Sequence, residues 1–163
     1  MLQVARNLIR YHELVSILAW KVIAVRYKQA YLGFLWVMLK PLVLLLIFIL
    51  VRSIVGIDSG SIPYPLLTYS ALVFWVFFQE SASDGTGSVV YHASLIRKVY
   101  FPREIFPFAA VVTKSVELGV GFVILGMLMF YYGYGLHTSL VWIPLIYVMT
   151  VLAALTVSLS GSA

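Results

Sequence analysis

Long apolar segments separated by short polar stretches dominate this chain. The apolar runs are continuous and do not alternate with a period of two, so they favour α-helices over the strands of an outer-membrane barrel. A helix that crosses the hydrocarbon core of a membrane needs about 20 residues. The pattern predicts four transmembrane spans, at residues 35–55, 64–79, 108–132 and 140–159.

Two breaks in the apolar pattern predict the turns between spans. The sequence GIDSGSIP at residues 56–63 separates the first span from the second. The residues after Glu117 carry no formal charge for the remaining 46 positions. As a single helix they would measure about 69 Å, twice the thickness of a membrane. The Gly-rich sequence YGYGLHTS at residues 132–139 is therefore the predicted bend of a hairpin.

Composition and charge agree with a multi-pass membrane protein. Hydrophobic residues make up 63% of the chain and charged residues 10%, which is far from the composition of a soluble domain. Six basic residues up to Lys40 and three in residues 80–107 face a single Arg52 on the other side. This asymmetry predicts a cytoplasmic N-terminus. The net charge of +5 is then an orientation signal, and without a binding motif it predicts no nucleic-acid partner.

An amphipathic segment precedes the first span. Its charged residues lie opposite an apolar stripe, which predicts a helix over residues 8–31 that rests on the inner leaflet and contacts membrane lipids. Contact with a cytoplasmic partner is the alternative interpretation. The apolar stripe has three- and four-residue spacings and consists of Leu8, Tyr11, Leu14, Val15, Leu18, Val22 and Val25.

Residues 80–107 are predicted to form a cytoplasmic loop. Ser83 and Asp84 are candidate helix caps, and Gly85 and Gly87 indicate a loosened start of the loop. A short helix follows, and Pro102 ends it. On composition alone, an ordinary loop whose basic residues only fix the topology is the favoured interpretation, and docking of this helix in a groove on a partner is the alternative.

Isolated polar and aromatic residues inside the apolar segments are candidates for a substrate path, each beside a structural alternative. Lys114 and Glu117 have the i, i+3 spacing of an ion pair. Lys40 could meet a phosphate or reach the headgroups. Glu80 and Asp84 are expected to repel each other in solvent at a helix end. The candidate path residues are Lys40, Tyr69, Trp75, Phe78, Lys114 and Glu117.

No catalytic, cofactor or metal site is predicted. The three histidines lie in different predicted regions, and the chain has no cysteine. The phosphate-binding pattern GxxxxGK[ST] is absent, so ATP is not expected to bind this chain.

The order of elements resembles that of a known family. With the sequences YLGFLWVMLKPL at residues 31–42 and LIRKVYFPREIFP at residues 95–107, the chain is similar to permease subunits of type-2 ABC transporters that export polysaccharides, above all lipopolysaccharide O-antigen. The resemblance implies a homodimer that binds two cytoplasmic ATPase subunits. Together they would move a lipid-linked polysaccharide across the bacterial inner membrane, and ATP would bind to the partner.

The resemblance also implies a coupling helix in the loop of residues 80–107, which inserts into the ATPase subunit. The implied coupling residues are Ser94, Leu95, Ile96, Arg97 and Lys98. Because the family has six spans, four spans predict the N-terminal portion of such a permease. Two alternatives stay open: a membrane scaffold or truncated permease remnant that transports nothing, and an integral-membrane enzyme acting on lipid-linked sugars. The sequence does not identify the polysaccharide.

Overall fold

The structure, a computed structural model, describes residues 17, 20, 24, 33–56, 60, 62–91, 105–135 and 138–161. The predicted interface helix of residues 8–31 lies almost entirely outside this part of the chain. The predicted coupling residues, Ser94 to Lys98, lie outside it as well. Both remain predictions.

Four α-helices and one 3₁₀ helix make up the described part of the chain, which contains no strand. They are α1 (Gly33–Val55), α2 (Tyr64–Tyr91), α3 (Ile105–Tyr131) and α4 (Ile143–Gly161), with the 3₁₀ helix at Thr138–Trp142 leading into α4. The predicted all-α fold class is confirmed.

The boundaries of α1, α3 and α4 fall within three residues of the predicted spans, but α2 does not end where predicted. It continues past Gln79 to Tyr91, so the prediction of a loop beginning at residue 80 was wrong over residues 80–91. Polar side chains and two glycines resemble a loop in sequence. In the structure Glu80 and Gly85 face neighbouring helices, where Glu80 forms ion pairs and Gly85 allows close packing.

Glycines close α1 and α3 at the same end of the bundle, which we call the turn end. Gly56 has φ of 72° and donates its N–H to the carbonyl of Arg52 at 2.8 Å. Gly133 has φ of 64°, and the N–H of Tyr134 reaches the carbonyl of Met129 at 2.9 Å. The bonds at Gly133 are those of the Schellman motif that ends a helix. It supports the predicted bend after the third span. The opposite end, where α2 ends and α3 begins, is the loop end.

Among the residues that the structure describes, three helices are long and apolar enough to cross a membrane: Val37–Val55, Ile105–Tyr131 and Leu140–Gly161. α2 is not among them because its second half is polar. Its packing nevertheless supports the predicted crossing. Near the turn end the Arg52 guanidinium lies 4.7 Å from the centre of the Tyr64 ring, and towards the loop end Lys40 pairs with Glu80. These contacts place α2 antiparallel to α1 along its length, and the crossing of the membrane by α2 stays a prediction.

The core of the bundle surrounds α2, which packs mainly against α3 and α4 and also against α1. Tyr69 is fully buried, and its hydroxyl lies 3.5 Å from the carbonyl oxygen of Gly121 on α3. The α2–α3 contact is close there, because a Cβ on Gly121 would lie 3.2 Å from Val73. The helix with the most polar sequence is therefore the central one.

Candidate functional site: an ionic cluster inside the bundle

Five charged side chains from three helices meet between α1, α2 and α3. Lys114 of α3 is at the centre: its Nζ donates to Glu80 Oε2 at 2.7 Å and to Glu117 Oε2 at 2.9 Å, and lies 3.4 Å from Asp84 Oδ2. The other Glu80 oxygen, Oε1, accepts a hydrogen bond from Lys40 of α1. We call these five residues the ionic cluster.

Burial differs sharply across the ionic cluster. The Lys114 side chain is 6% exposed and that of Glu117 is 9% exposed. The Lys40 side chain, by contrast, is 42% exposed. A charge is tolerated in low-dielectric surroundings only when it is paired and hydrogen-bonded. Lys114 therefore depends on its carboxylate partners, whereas Lys40 retains much of its contact with the surroundings.

The predicted ion pair of Lys114 and Glu117 is confirmed. The expectation for Glu80 and Asp84 was wrong, because both carboxylates face the same ammonium group instead of repelling each other in solvent. Lys40, expected to reach the headgroups or a phosphate, pairs with Glu80. Sequence reasoning missed Glu80 as a member of this group. The signal that could have found it is the presence of charged residues within or at the end of three predicted spans, since such charges need partners.

The depth of the ionic cluster follows from the helix geometry. Lys114 precedes Tyr131, at the turn end of α3, by 17 residues, which is about 26 Å at 1.5 Å per residue. With a hydrocarbon core of about 30 Å, the cluster then lies close to one boundary of the membrane. The aromatic residues Tyr131 and Tyr132, whose ring centroids are 5.1 Å apart, mark the other boundary.

The arrangement limits what the ionic cluster can do chemically. Its carboxylates outnumber its ammonium groups, so the cluster is not suited to bind an additional anion such as a phosphate. Within the described residues, no group of three His, Cys, Asp or Glu side chains could hold a metal ion. The cluster therefore joins helices electrostatically.

Two of the three predicted aromatic path residues are brought together, and Tyr69 is not among them. Tyr69 is fully buried in the packed core, so it does not line a path through the described bundle. Trp75 lies on the outside of α2 and is 58% exposed. Its ring centroid lies 6.1 Å from that of Phe78. Only these two predicted path residues form an aromatic surface.

A second polar contact, unforeseen from the sequence, joins α2 to α4. Ser158 of α4 is fully buried and donates its hydroxyl to the carbonyls of Ala154 at 2.7 Å and Ser81 at 3.2 Å. A Cβ on Gly85 would lie 2.2 Å from Ser158 Oγ. Ser81 and Gly85 on α2, like Ala154 and Ser158 on α4, have the small-xxx-small spacing of close helix packing in membranes. Gly85 therefore permits close packing and does not loosen α2.

These features define an all-helical, multi-pass membrane protein whose helices are joined by buried ion pairs and small-residue contacts. Comparison with known proteins gives the particular relatives. The chain is 30% identical over 115 residues to the O-antigen export system permease protein RfbA of Myxococcus xanthus, which covers 70% of this chain and 44% of the relative.

Two proteins of the same name from Klebsiella pneumoniae are also similar. One is 30% identical over 149 residues, covering 90% of this chain and 57% of the relative. The other is 28% identical over 162 residues, covering 97% of this chain and 61% of the relative. The chain thus spans about half the length of the curated relatives it matches. No family model and no solved structure matches it. The resemblance to permeases of O-antigen export is confirmed.

Proposed function

We propose that this chain acts as a membrane permease subunit of an ATP-driven exporter that moves a lipid-linked polysaccharide across the cytoplasmic membrane. The observation that carries the proposal is the similarity to three O-antigen export permeases, which extends over 70% to 97% of this chain. The helical membrane fold is consistent with this role. The similarity does not favour an integral-membrane enzyme or a scaffold without transport, because all three relatives are named as permeases.

ATP hydrolysis is assigned to a separate cytoplasmic subunit. In this proposal the N-terminus is cytoplasmic, the permease forms a homodimer, and the coupling residues Ser94, Leu95, Ile96, Arg97 and Lys98 contact the ATPase subunit. α2 ends at Tyr91, three residues before Ser94, so a rigid helix leads from the bundle towards this contact.

The substrate path is proposed at the aromatic surface of Trp75 and Phe78. Aromatic faces provide apolar, hydrogen-bond-free contact for sugar rings, and Trp75 is exposed where a second subunit could complete a path. Lys114 and Glu117 form an ion pair inside the bundle, so we assign them a structural role and no place on the substrate path.

The proposal is tested by asking whether the chain binds an ATPase through the predicted coupling residues. An affinity-tagged chain is purified from membranes of its own cells, and the Mg²⁺-dependent ATP hydrolysis that copurifies with it is measured. We expect Arg97→Glu together with Lys98→Glu to remove that activity, since two reversed charges oppose docking, while the chain still inserts into the membrane.

Arg103→Glu, compared with the single variant Arg97→Glu, is a matched control with the same charge change in the same predicted loop. We expect it to retain the copurifying activity. Cells that lack the chain should also lose their surface polysaccharide and retain lipid-linked glycan inside. Undiminished ATPase activity in the double variant would refute the coupling assignment. An unchanged surface polysaccharide would refute the transport role.

A further inference from the structure

Glu80 uses its two carboxylate oxygens on two different helices. Oε1 accepts a hydrogen bond from Lys40 on α1, while Oε2 accepts one from Lys114 on α3 at 2.7 Å. Because Glu80 itself belongs to α2, a single carboxylate joins three helices. Any movement of α1 relative to α2 and α3 must change the Lys40 side of this junction.

The two sides of the junction differ in strength. Lys114 is enclosed and held by two further carboxylates, those of Glu117 and Asp84. Separating an enclosed charge from its partners is costly, whereas a partly exposed ion pair at the membrane boundary, where the ionic cluster lies, can exchange its partner for water or headgroups. The Lys40–Glu80 pair is partly exposed on both sides. It is therefore the contact that opens more easily.

α1 packs against the bundle along one face, and its other sides are exposed. Pro41 and Leu45 are buried against the bundle, one helical turn apart. Val43, Leu46 and Leu50 on the other sides of α1 are 43%, 60% and 63% exposed. Met38, Leu42, Leu44 and Ile49 add partly buried contacts to the core, but separation of α1 still breaks fewer contacts than separation of α2, which packs against all three other helices.

We propose that Glu80 is a positioning residue that sets how α1 sits against α2 and α3: the Lys40–Glu80 pair opens and closes while Lys114, Glu80 and Glu117 stay joined. α2 extends for about 16 Å beyond Glu80 to Tyr91, so a displacement of its loop end acts directly on this junction. This inference rests on the proposed function, because the displacing force is that of the ATPase subunit.

The experiment measures distances between pairs of spin labels by pulsed electron paramagnetic resonance on the full chain in lipid nanodiscs. The chain has no native cysteine, so labelling is specific. One pair, Val43→Cys with Ala71→Cys, reports α1 against α2. A control pair, Ala71→Cys with Val116→Cys, reports α2 against α3. All three positions are exposed, and none of them belongs to the ionic cluster.

In the Lys40→Gln background, we expect the α1–α2 distance distribution to shift and broaden beyond its wild-type width. The α2–α3 distribution should keep its wild-type position, and Lys40→Arg should preserve both. An unchanged α1–α2 distribution in Lys40→Gln would overturn the proposal. So would equal broadening of both pairs, because α1 would then not be separable from the rest.

The test contains no ATPase, so its outcome is independent of the experiment on the proposed function. Absence of copurifying ATP hydrolysis would refute the exporter role without changing the spin-label distances. Unchanged spin-label distances would overturn the role of Glu80 while an ATPase still binds.

Discussion

Gly85 of α2 lies so close to Ser158 of α4 that a Cβ on Gly85 would be 2.2 Å from Ser158 Oγ and 2.6 Å from Ser158 Cβ. The two helices can approach this closely only because residue 85 has no side chain. The bond from Ser158 to the Ser81 carbonyl depends on the same approach.

Gly85→Ala is expected to destabilise the bundle, because the added methyl group would overlap with Ser158 and force α2 and α4 apart. Overpacking of this kind costs about 1–3 kcal/mol. The measurement is the thermal unfolding midpoint of the purified chain in detergent. Gly119→Ala is the matched control in α3, where a Cβ would meet nothing within 4 Å. It should leave the midpoint unchanged or raise it, since alanine is the better helix former. Equal midpoints for both variants would contradict the close contact.

Replacement by alanine is expected to affect stability differently at Ser81 and at Ser158. Ser81 Oγ is buried without a hydrogen-bond partner in the structure, so Ser81→Ala removes an unsatisfied group and should be neutral or stabilising. Ser158→Ala removes the bond between helices and should cost about 0.6 kcal/mol, the mean for such bonds in a membrane protein. Reversible unfolding in mixed detergent micelles measures both. A larger loss for Ser81→Ala would show that its hydroxyl has a partner.

Lys114 is expected to be the most sensitive residue of the ionic cluster. Lys114→Met leaves the carboxylates of Glu80 and Glu117 without their shared ammonium group, and breaking an enclosed pair costs about 3–5 kcal/mol. Lys40→Gln should cost at most about 1 kcal/mol, because that pair is partly exposed. The folded yield in detergent and the unfolding midpoint measure the difference. Similar losses in both variants would mean that burial does not rank these pairs.

Lys114→Met combined with Glu117→Leu provides a further control, because it removes an ion and its partner together. We expect it to recover part of the stability lost in Lys114→Met, since an apolar pair of similar size avoids burying Glu117 without the ammonium group of Lys114. No recovery would place the main loss at Glu80 and Asp84.

The crossing of α2 predicts which polar segments share a side of the membrane. Single cysteines are introduced at Asp58, Ser94 and His137 and labelled with a membrane-impermeant maleimide in intact spheroplasts. If α2 crosses with the predicted orientation, positions 58 and 137 are labelled from outside and position 94 only after the membrane is opened. Labelling of positions 58 and 94 from the same side would show that α2 does not cross.

Features that depend on residues near one another in sequence were predictable. Lys114 and Glu117 are three residues apart, so their pairing follows from helix geometry alone. The glycine-rich bend at Gly133 is equally local, because a helix end with positive φ requires only the residues around it.

Features that depend on the packing of distant helices were not predictable. Glu80 and Gly85 belong to a polar stretch that resembles a loop, and only the positions of Lys114 and Ser158 on other helices explain why that stretch is helical. The aromatic side chain of Tyr69 made it a candidate for the substrate path, but the sequence does not indicate whether it faces the core or a substrate. A single sequence fixes the period of a helix but not its rotation against its neighbours.

The central position of the polar helix α2 has a consequence for biogenesis. When the chain enters the membrane during synthesis, Lys40 is already in place as Glu80 emerges, and Lys114 follows with the next helix. The polar second half of α2 becomes acceptable in lipid only as these counter-charges arrive, so we expect α1, α2 and α3 to enter the membrane as a group. A nascent chain that has not yet reached Lys114 gives Glu80 only one of its two ammonium partners, so the polar half of α2 is a poor membrane segment until α3 follows.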